Sequence, residues 1–189
     1  MKRILAGTLL LLFTLPVLAQ LSQKEAQDTI IWNSAVPLTK DFFLAKRSKY
    51  GKDIPAYIVS AIYLYQKEKD GTRMFYIEAI MLKSKSYMKE ETPYILNHEQ
   101  LHFDICELYA RKLRQRIAEK DFTKVKDIVS VVSQFYEKTT SEYQKRETAY
   151  DNDTQHGINA AKQKVWNETI ARELAELEQF ASPEVNIER

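Results

Sequence analysis

Two histidines one turn apart set the strongest constraint on what this chain can fold into. His98-Glu99-Gln100-Leu101-His102 lies inside a stretch whose apolar residues recur with a helical period. At about 100° per residue, the two imidazoles stand about 40° apart on the helix surface. With His98 at zero, Tyr94, Ile95, Leu101, Ile105, Leu108, Tyr109, Leu113 and Ile117 fall between about 280° and 100°. Both histidines therefore sit in the middle of the face that must be buried. Paired imidazoles on an apolar stripe are costly without a shared partner, and one metal ion satisfies both. Glu99, about 100° from His98, would lie beside that ion, where a carboxylate can serve as general base.

A hydrolytic zinc site needs a third protein ligand and an open position. Glu107 is excluded by the wheel: it lies about 180° from His98 and is placed to pair with Arg111 at i+4. Asp104 also falls on the polar side, near 240°. The best candidate is His156, the third and last histidine of the chain. It stands in Tyr150-Asp151-Asn152-Asp153-Thr154-Gln155-His156-Gly157, read as a polar break before a later helix. Glu142, Glu147, Asp151 and Asp153 are the carboxylate alternatives, and Asp151 or Asp153 could instead orient a ligand imidazole. Tyr150 is a candidate phenol donor to a developing oxyanion. Cys106, near 80° on the same helix, reads as a small buried residue rather than a thiolate ligand.

Around this segment the pattern predicts an α+β fold, strands first and helices afterwards. Residues 29–32 are β-prone, and residues 54–66 and 73–82 are rich in β-branched and aromatic side chains. Asp70-Gly71 between them is the signal of a tight antiparallel hairpin. Both strands carry apolar residues on both faces, so the hairpin is expected to be covered on both sides. Thr92-Pro93 marks a helix start, with the helix running to about residue 118. A second helix carries Val125, Ile128, Val129, Val132, Phe135 and Tyr136 on one stripe and extends towards Tyr150. A third spans about residues 158–179, and residues 182–189 read as a frayed tail. The expected architecture is an N-terminal antiparallel hairpin or sheet packed on a bundle of about three long helices.

Residues 1–19 read as a signal peptide: Lys2 and Arg3, an apolar run from Leu9 to Leu18, and small residues Val17 and Ala19 at a cleavage point. Residues 20–189 then form a single domain with no linker or repeat. Without Lys2 and Arg3, the formal +2 charge of the whole chain falls to zero. That balance gives no electrostatic case for nucleic acid or an anionic membrane as partner. One cysteine excludes an internal disulfide framework and a Cys-based zinc finger. The expected product is exported to the periplasm or the medium, with no stable membrane insertion after cleavage.

The segment Leu96-Asn97-His98-Glu99-Gln100-Leu101-His102-Phe103-Asp104-Ile105-Cys106-Glu107-Leu108-Tyr109-Ala110-Arg111 resembles uncharacterised bacterial secreted proteins described as predicted zinc-dependent proteases. The resemblance extends to Trp32, Pro37 to Phe42, Ser86, Tyr150-Asp151, Thr154, His156-Gly157, Gln163 and Trp166. Lys40 and Tyr87 depart from it, standing where similar members would carry tryptophan. The resemblance implies a zincin-like metallopeptidase with His98 and His102 as ligands of one zinc ion, Glu99 as base and His156 in the place of the third ligand. The expected reaction is hydrolysis of a peptide or protein substrate by Glu99-assisted attack of zinc-bound water. The strand at 73–82 is the expected sheet edge for an extended substrate. Two other classes stay open: a non-catalytic exported protein that holds or carries metal, and a zinc amidase acting on cell-wall material.

Overall fold

The structure is a computed structural model that describes residues 27–49, 54–69 and 72–187. The signal-peptide segment 1–19 and the Asp70-Gly71 turn lie outside the described residues. The fold is α+β. Strands β1 (Thr29–Ile31), β2 (Ala56–Tyr57), β3 (Ser60–Lys69), β4 (Thr72–Leu82) and β5 (Tyr87–Met88) come first. Helices α1 (Pro93–Ala118), α2 (Ile128–Thr154) and α3 (Ala160–Glu176) follow, and β6 (Glu184–Asn186) closes the chain. The main antiparallel sheet has the order β1-β4-β3, with β6 also paired to β4, and β2 and β5 form a separate two-stranded ribbon.

The β3–β4 hairpin runs in register from Ser60↔Met81 to Lys69↔Thr72. Residues 54–66, read as one strand, are interrupted after Tyr57. The interruption has a physical cause: at Ile58 and Val59 side-chain acceptors replace the ladder. The amide of Ile58 donates to Glu99 Oε2 at 2.7 Å, and that of Val59 to Ser86 Oγ at 2.9 Å. Strand β4 is not the free edge that the sequence suggested. Its second side is occupied by β1, from Thr29↔Leu82 to Ile31↔Ile80, and by β6, from Met74↔Asn186 to Tyr76↔Glu184. The tail, expected to fray, supplies that last pairing, with Val185 buried in the core. One face of the hairpin, with Ile62, Phe75, Ile77, Ala79 and Met81, is buried in the core cluster that includes α1. The other is half-exposed rather than covered: Tyr65 stacks on Tyr76 at 5.0 Å, and exposed Lys67 lies over both rings.

Helix α1 begins where expected. Thr92 caps it by accepting from the Ile95 amide at 3.1 Å, and Pro93 occupies a first-turn position where a missing amide costs nothing. The helix is buried on nearly every side, not along one stripe. Its face away from the histidines contains Glu107, Arg111 and Arg114, all at most 4% exposed. Arg111 Nε donates to Glu107 Oε1 at 3.0 Å, the i+4 pair expected from the sequence. Arg114 Nη1 also donates to that oxygen, at 2.8 Å, and its Nε and Nη2 donate to the carbonyl of Ile77. Further bonds from Arg111 to the Leu174 carbonyl and from Arg114 to those of Phe180 and Ala181 clamp the C-terminal segment onto α1. Gln100 and Asp104, on the same side of the helix, hold the N-terminal segment: Leu38 N donates to Gln100 Oε1 and Trp32 Nε1 to Asp104 Oδ1, each at 2.8 Å.

Removing Glu107 would leave two guanidinium groups buried without their shared counter-charge, a change worth about 3–5 kcal/mol. Glu107→Ala is therefore expected to lower the urea or thermal midpoint strongly. Glu178→Ala, which removes the 75% exposed partner of Arg111, should cost less than about 1 kcal/mol. Equal losses in the two variants would contradict this account.

Candidate metal centre

The centre forms where α1 crosses α2, and the reach of α2 decides its composition. The polar run 151–154, read as a break, is the last turn of this helix. Thr154 Oγ1 donates to the Tyr150 carbonyl at 2.8 Å, and Gln155 in the left-handed region ends the helix. One continuous helix puts Glu147, Tyr150, Asp151 and Thr154 at i, i+3, i+4 and i+7, a single face. That face is turned towards His98 and His102.

Each imidazole is fixed through Nδ1 by a partner on its far side. His102 Nδ1 lies 2.9 Å from Glu147 Oε2. A carboxylate oxygen only accepts, so Nδ1 carries the proton. His98 Nδ1 lies 3.0 Å from Gln163 Oε1 and 2.7 Å from the Tyr150 hydroxyl. That hydroxyl donates to Gln163 Oε1 at 2.7 Å, so the proton in the His98 contact belongs to Nδ1. Gln163 Nε2 donates to Asn167 Oδ1 and Asn167 Nδ2 to Asn97 Oδ1, each at 2.9 Å, which keeps the Gln163 oxygen towards His98. Both Nε2 lone pairs are then left for an ion, the arrangement by which outer partners orient metal-ligating histidines.

Those two nitrogens face one carboxylate oxygen. Asp151 Oδ1 lies 3.7 Å from His98 Nε2 and 3.2 Å from His102 Nε2. The ligand atoms of His98, His102 and Asp151 all lie within 4.8 Å of one another. Ligands about 2.1 Å from a tetrahedral ion stand about 3.4 Å apart, close to the two separations from Asp151 to the histidines. Without an ion, a proton on His102 Nε2 bonds to Asp151 Oδ1, and a metal ion would take the place of that proton. This donor set of two imidazoles and one carboxylate could hold a metal ion.

The local pKa shifts follow from burial and from the charges packed around His102. Burial pushes Glu99 up to about 7 and raises Glu147. Burial and the nearby His102 hold His98 down at about 4. At His102 burial also acts downward, but Glu147 and Asp151 outweigh it and leave this imidazole well above its ordinary value. Asp151 is held low against its burial by the hydrogen bond and charge of His102.

The sequence-derived candidates now sort by position. His98, His102 and Glu99 are gathered at one place, all at most 8% exposed. His156 is not part of the trio: its side chain is 50% exposed and its Nδ1 lies 3.5 Å from Asp151 Oδ1. Asp151 stands where the sequence reading placed His156. Tyr150 is fully buried on the Nδ1 side of His98, so its phenol is a positioning group for that ring and is not aimed at the open side. The other carboxylates are spent: Glu142 accepts from Arg116 Nη2 at 2.6 Å, and Asp153 from Trp166 Nε1 at 3.1 Å. Cys106 is fully buried, as expected. Gln163 entered the sequence reading only through the resemblance, which gave it no role at the centre. The face of Glu147, Tyr150, Asp151 and Thr154 carried a signal of its own, through its i, i+3, i+4, i+7 spacing.

The turn after α2 completes the floor. Gln155, His156 and Gly157 have φ of 54°, 55° and 82°. The first two lack glycine's freedom, and such conformations cost on the order of 1 kcal/mol or more each. The turn is held by His156 N to the Asp151 carbonyl and Asn159 N to the Thr154 carbonyl, each at 2.8 Å. It lays Gly157 against the His98 ring, where an added Cβ would stand 3.1 Å from Cγ.

Two affinity measurements test this assignment. Asp151→Ala is expected to weaken zinc binding far more than His156→Ala, as read by competition with a chromophoric chelator; the reverse order would return His156 to the third-ligand position. Gln163→Leu, which removes the acceptor behind His98, should cost about 10–100-fold in zinc affinity. Unchanged affinity would show that this network does not orient the ligand.

A family model described as "Bacterial protein of unknown function (DUF922)" matches residues 86–157. The matched span includes Ser86, all of α1, the Asp151 face of α2 and the left-handed turn, and it ends before Gln163. No curated protein and no solved structure matches the chain.

Proposed function

We propose that the chain is an exported, zinc-dependent metallopeptidase with a zincin-like arrangement of helix and sheet. The observation that carries this reading is the pair of Nε2 lone pairs facing Asp151, each fixed by a partner at Nδ1. Export is supported by the signal-like residues 1–19. Among the described residues no helix is long and apolar enough to cross a membrane.

Zinc held by His98, His102 and Asp151 would supply a Lewis acid to polarise a peptide carbonyl and acidify a water at the open position. The chain's own residues do the rest. Glu99 Oε2 is anchored by the Ile58 amide at 2.7 Å, which fixes the carboxylate and leaves Oε1 as the atom to take a proton from water. The same oxygen can then deliver that proton to the leaving amine. Glu147 and Gln163 keep the two rings in place during the reaction, and Tyr150 supports the Gln163 contact. A closed structural or storage site has no need of a fixed carboxylate beside its ligands, so the position of Glu99 favours hydrolysis.

Glu99→Gln is expected to retain one zinc per chain while peptide hydrolysis falls by about 10²–10⁴-fold. A variant that loads zinc and cleaves a casein-derived peptide mixture at the parent rate would overturn this mechanism.

A further inference from the structure

We propose that the β2–β5 ribbon and the loop laid against it dock an acidic stretch of a polypeptide. That this polypeptide is then cleaved rests on the metallopeptidase reading; the surface itself rests on charge and geometry. Two stretches distant in sequence are stitched into one face. Leu44 N donates to the Lys83 carbonyl and Ala45 N to that of Ser86, each at 2.9 Å. Lys49 N donates to the Tyr57 hydroxyl at 3.4 Å, and Lys49 Nζ lies 5.6 Å from the centroid of the same ring. Tyr57 in turn stacks on Tyr87 across the ribbon, with ring centroids 5.8 Å apart.

Residues 40–49 and 83–91 carry seven cations against three carboxylates, Asp41, Glu90 and Glu91. Asp28, which accepts from Ser84, is the one further carboxylate bonded to these stretches among the described residues. Lys89 is paired with Glu90 at 3.8 Å. Lys40, Lys46, Arg47, Lys83 and Lys85 form no ion pair among the described residues, and of these only Lys83 is less than fully exposed. In a chain whose charges balance after removal of residues 1–19, the two stretches joined by these backbone bonds thus carry a surplus of positive charge.

That face adjoins the metal centre directly. Ile58 follows Tyr57 in the chain, and its amide holds Glu99. A polypeptide crossing the open side of the trio would leave it over the ribbon. The stacked tyrosines, with Leu44 at 53% exposure, place apolar surface among the cations. This mixture suits a peptide of acidic and apolar residues better than an isolated anion. The ribbon has only two residues in each strand, a dimension that fits a short extended chain rather than a bilayer surface.

The test uses the whole zinc-loaded chain and two fluorescein-labelled peptides, identical except that a block of glutamates at one end is replaced by glutamines. Anisotropy titrations are expected to show at least about tenfold tighter binding of the acidic peptide at low ionic strength, since several exposed charge contacts add. The preference should vanish near 0.5 M salt, where the Debye length is about 4 Å. Lys46→Glu/Lys83→Glu/Lys85→Glu should abolish the preference while leaving binding of the glutamine peptide, and the far-ultraviolet circular dichroism, unchanged. Equal binding of the two peptides, or a preference that survives charge reversal, would overturn the proposal. So would salt-dependent capture by phosphatidylglycerol vesicles that the triple variant loses while peptide binding stays unselective. Cleavage is scored separately. Selective binding without hydrolysis of either peptide would contradict the metallopeptidase reading alone, and equal binding with hydrolysis of both would contradict the docking surface alone.

Discussion

Two imidazole lone pairs and a carboxylate oxygen turned towards one another inside the protein form the contact on which the rest of the structure depends. In that arrangement a proton on His102 Nε2 bonds to Asp151, and a metal ion held by His98, His102 and Asp151 would take its place. The surroundings are built to maintain the arrangement. Glu147 and Gln163 fix the rings from behind, Tyr150 braces Gln163, and Gly157 lies flat on the His98 ring. Glu99 and Glu147 share this buried volume, where burial raises both carboxyls, while Glu147 and Asp151 outweigh burial at His102 and hold it well above its ordinary value.

Helix α1 is the means by which this centre is kept rigid. A surface helix would have offered solvent to its polar residues. Here Gln100 and Asp104 bind the N-terminal segment, and Glu107, Arg111 and Arg114 bind β4 and the C-terminal segment. Both ends of the described chain are thus fastened to the side of this helix that faces away from the histidines, where Arg111 also lies over the Trp32 ring. Ile58 extends the same logic to the ribbon, because its amide fixes Glu99 instead of joining a strand ladder. Geometry of this kind depends on support from residues outside the centre itself.

Much of this was legible in the sequence, for local reasons. Thr92-Pro93 marked the start of α1, and the apolar period carried it to Ala118. Alternating β-branched and aromatic residues marked β3 and β4. The failures share a cause: tertiary bonding outweighed local preference. Asp151, Asn152, Asp153 and Thr154 read as a break, but packing of Tyr150 against His98, burial of Thr154 and the bond from Trp166 to Asp153 keep the last turn helical. That single turn moved the third corner from His156 to Asp151. The polar tail became β6 because β4 offered it an open side, and β4 ceased to be an edge for the same reason. The basic face was hidden because its two stretches meet only on folding and the total charge is balanced.

The most direct test is an anomalous-scattering map at the zinc edge, from crystals of the chain grown with stoichiometric zinc. The account predicts one strong peak about 2.1 Å from His98 Nε2, His102 Nε2 and Asp151 Oδ1. His156 should lie outside the coordination shell, and one position should be left to solvent. A peak coordinated by His156 in place of Asp151, or no peak between the two histidines, would contradict it.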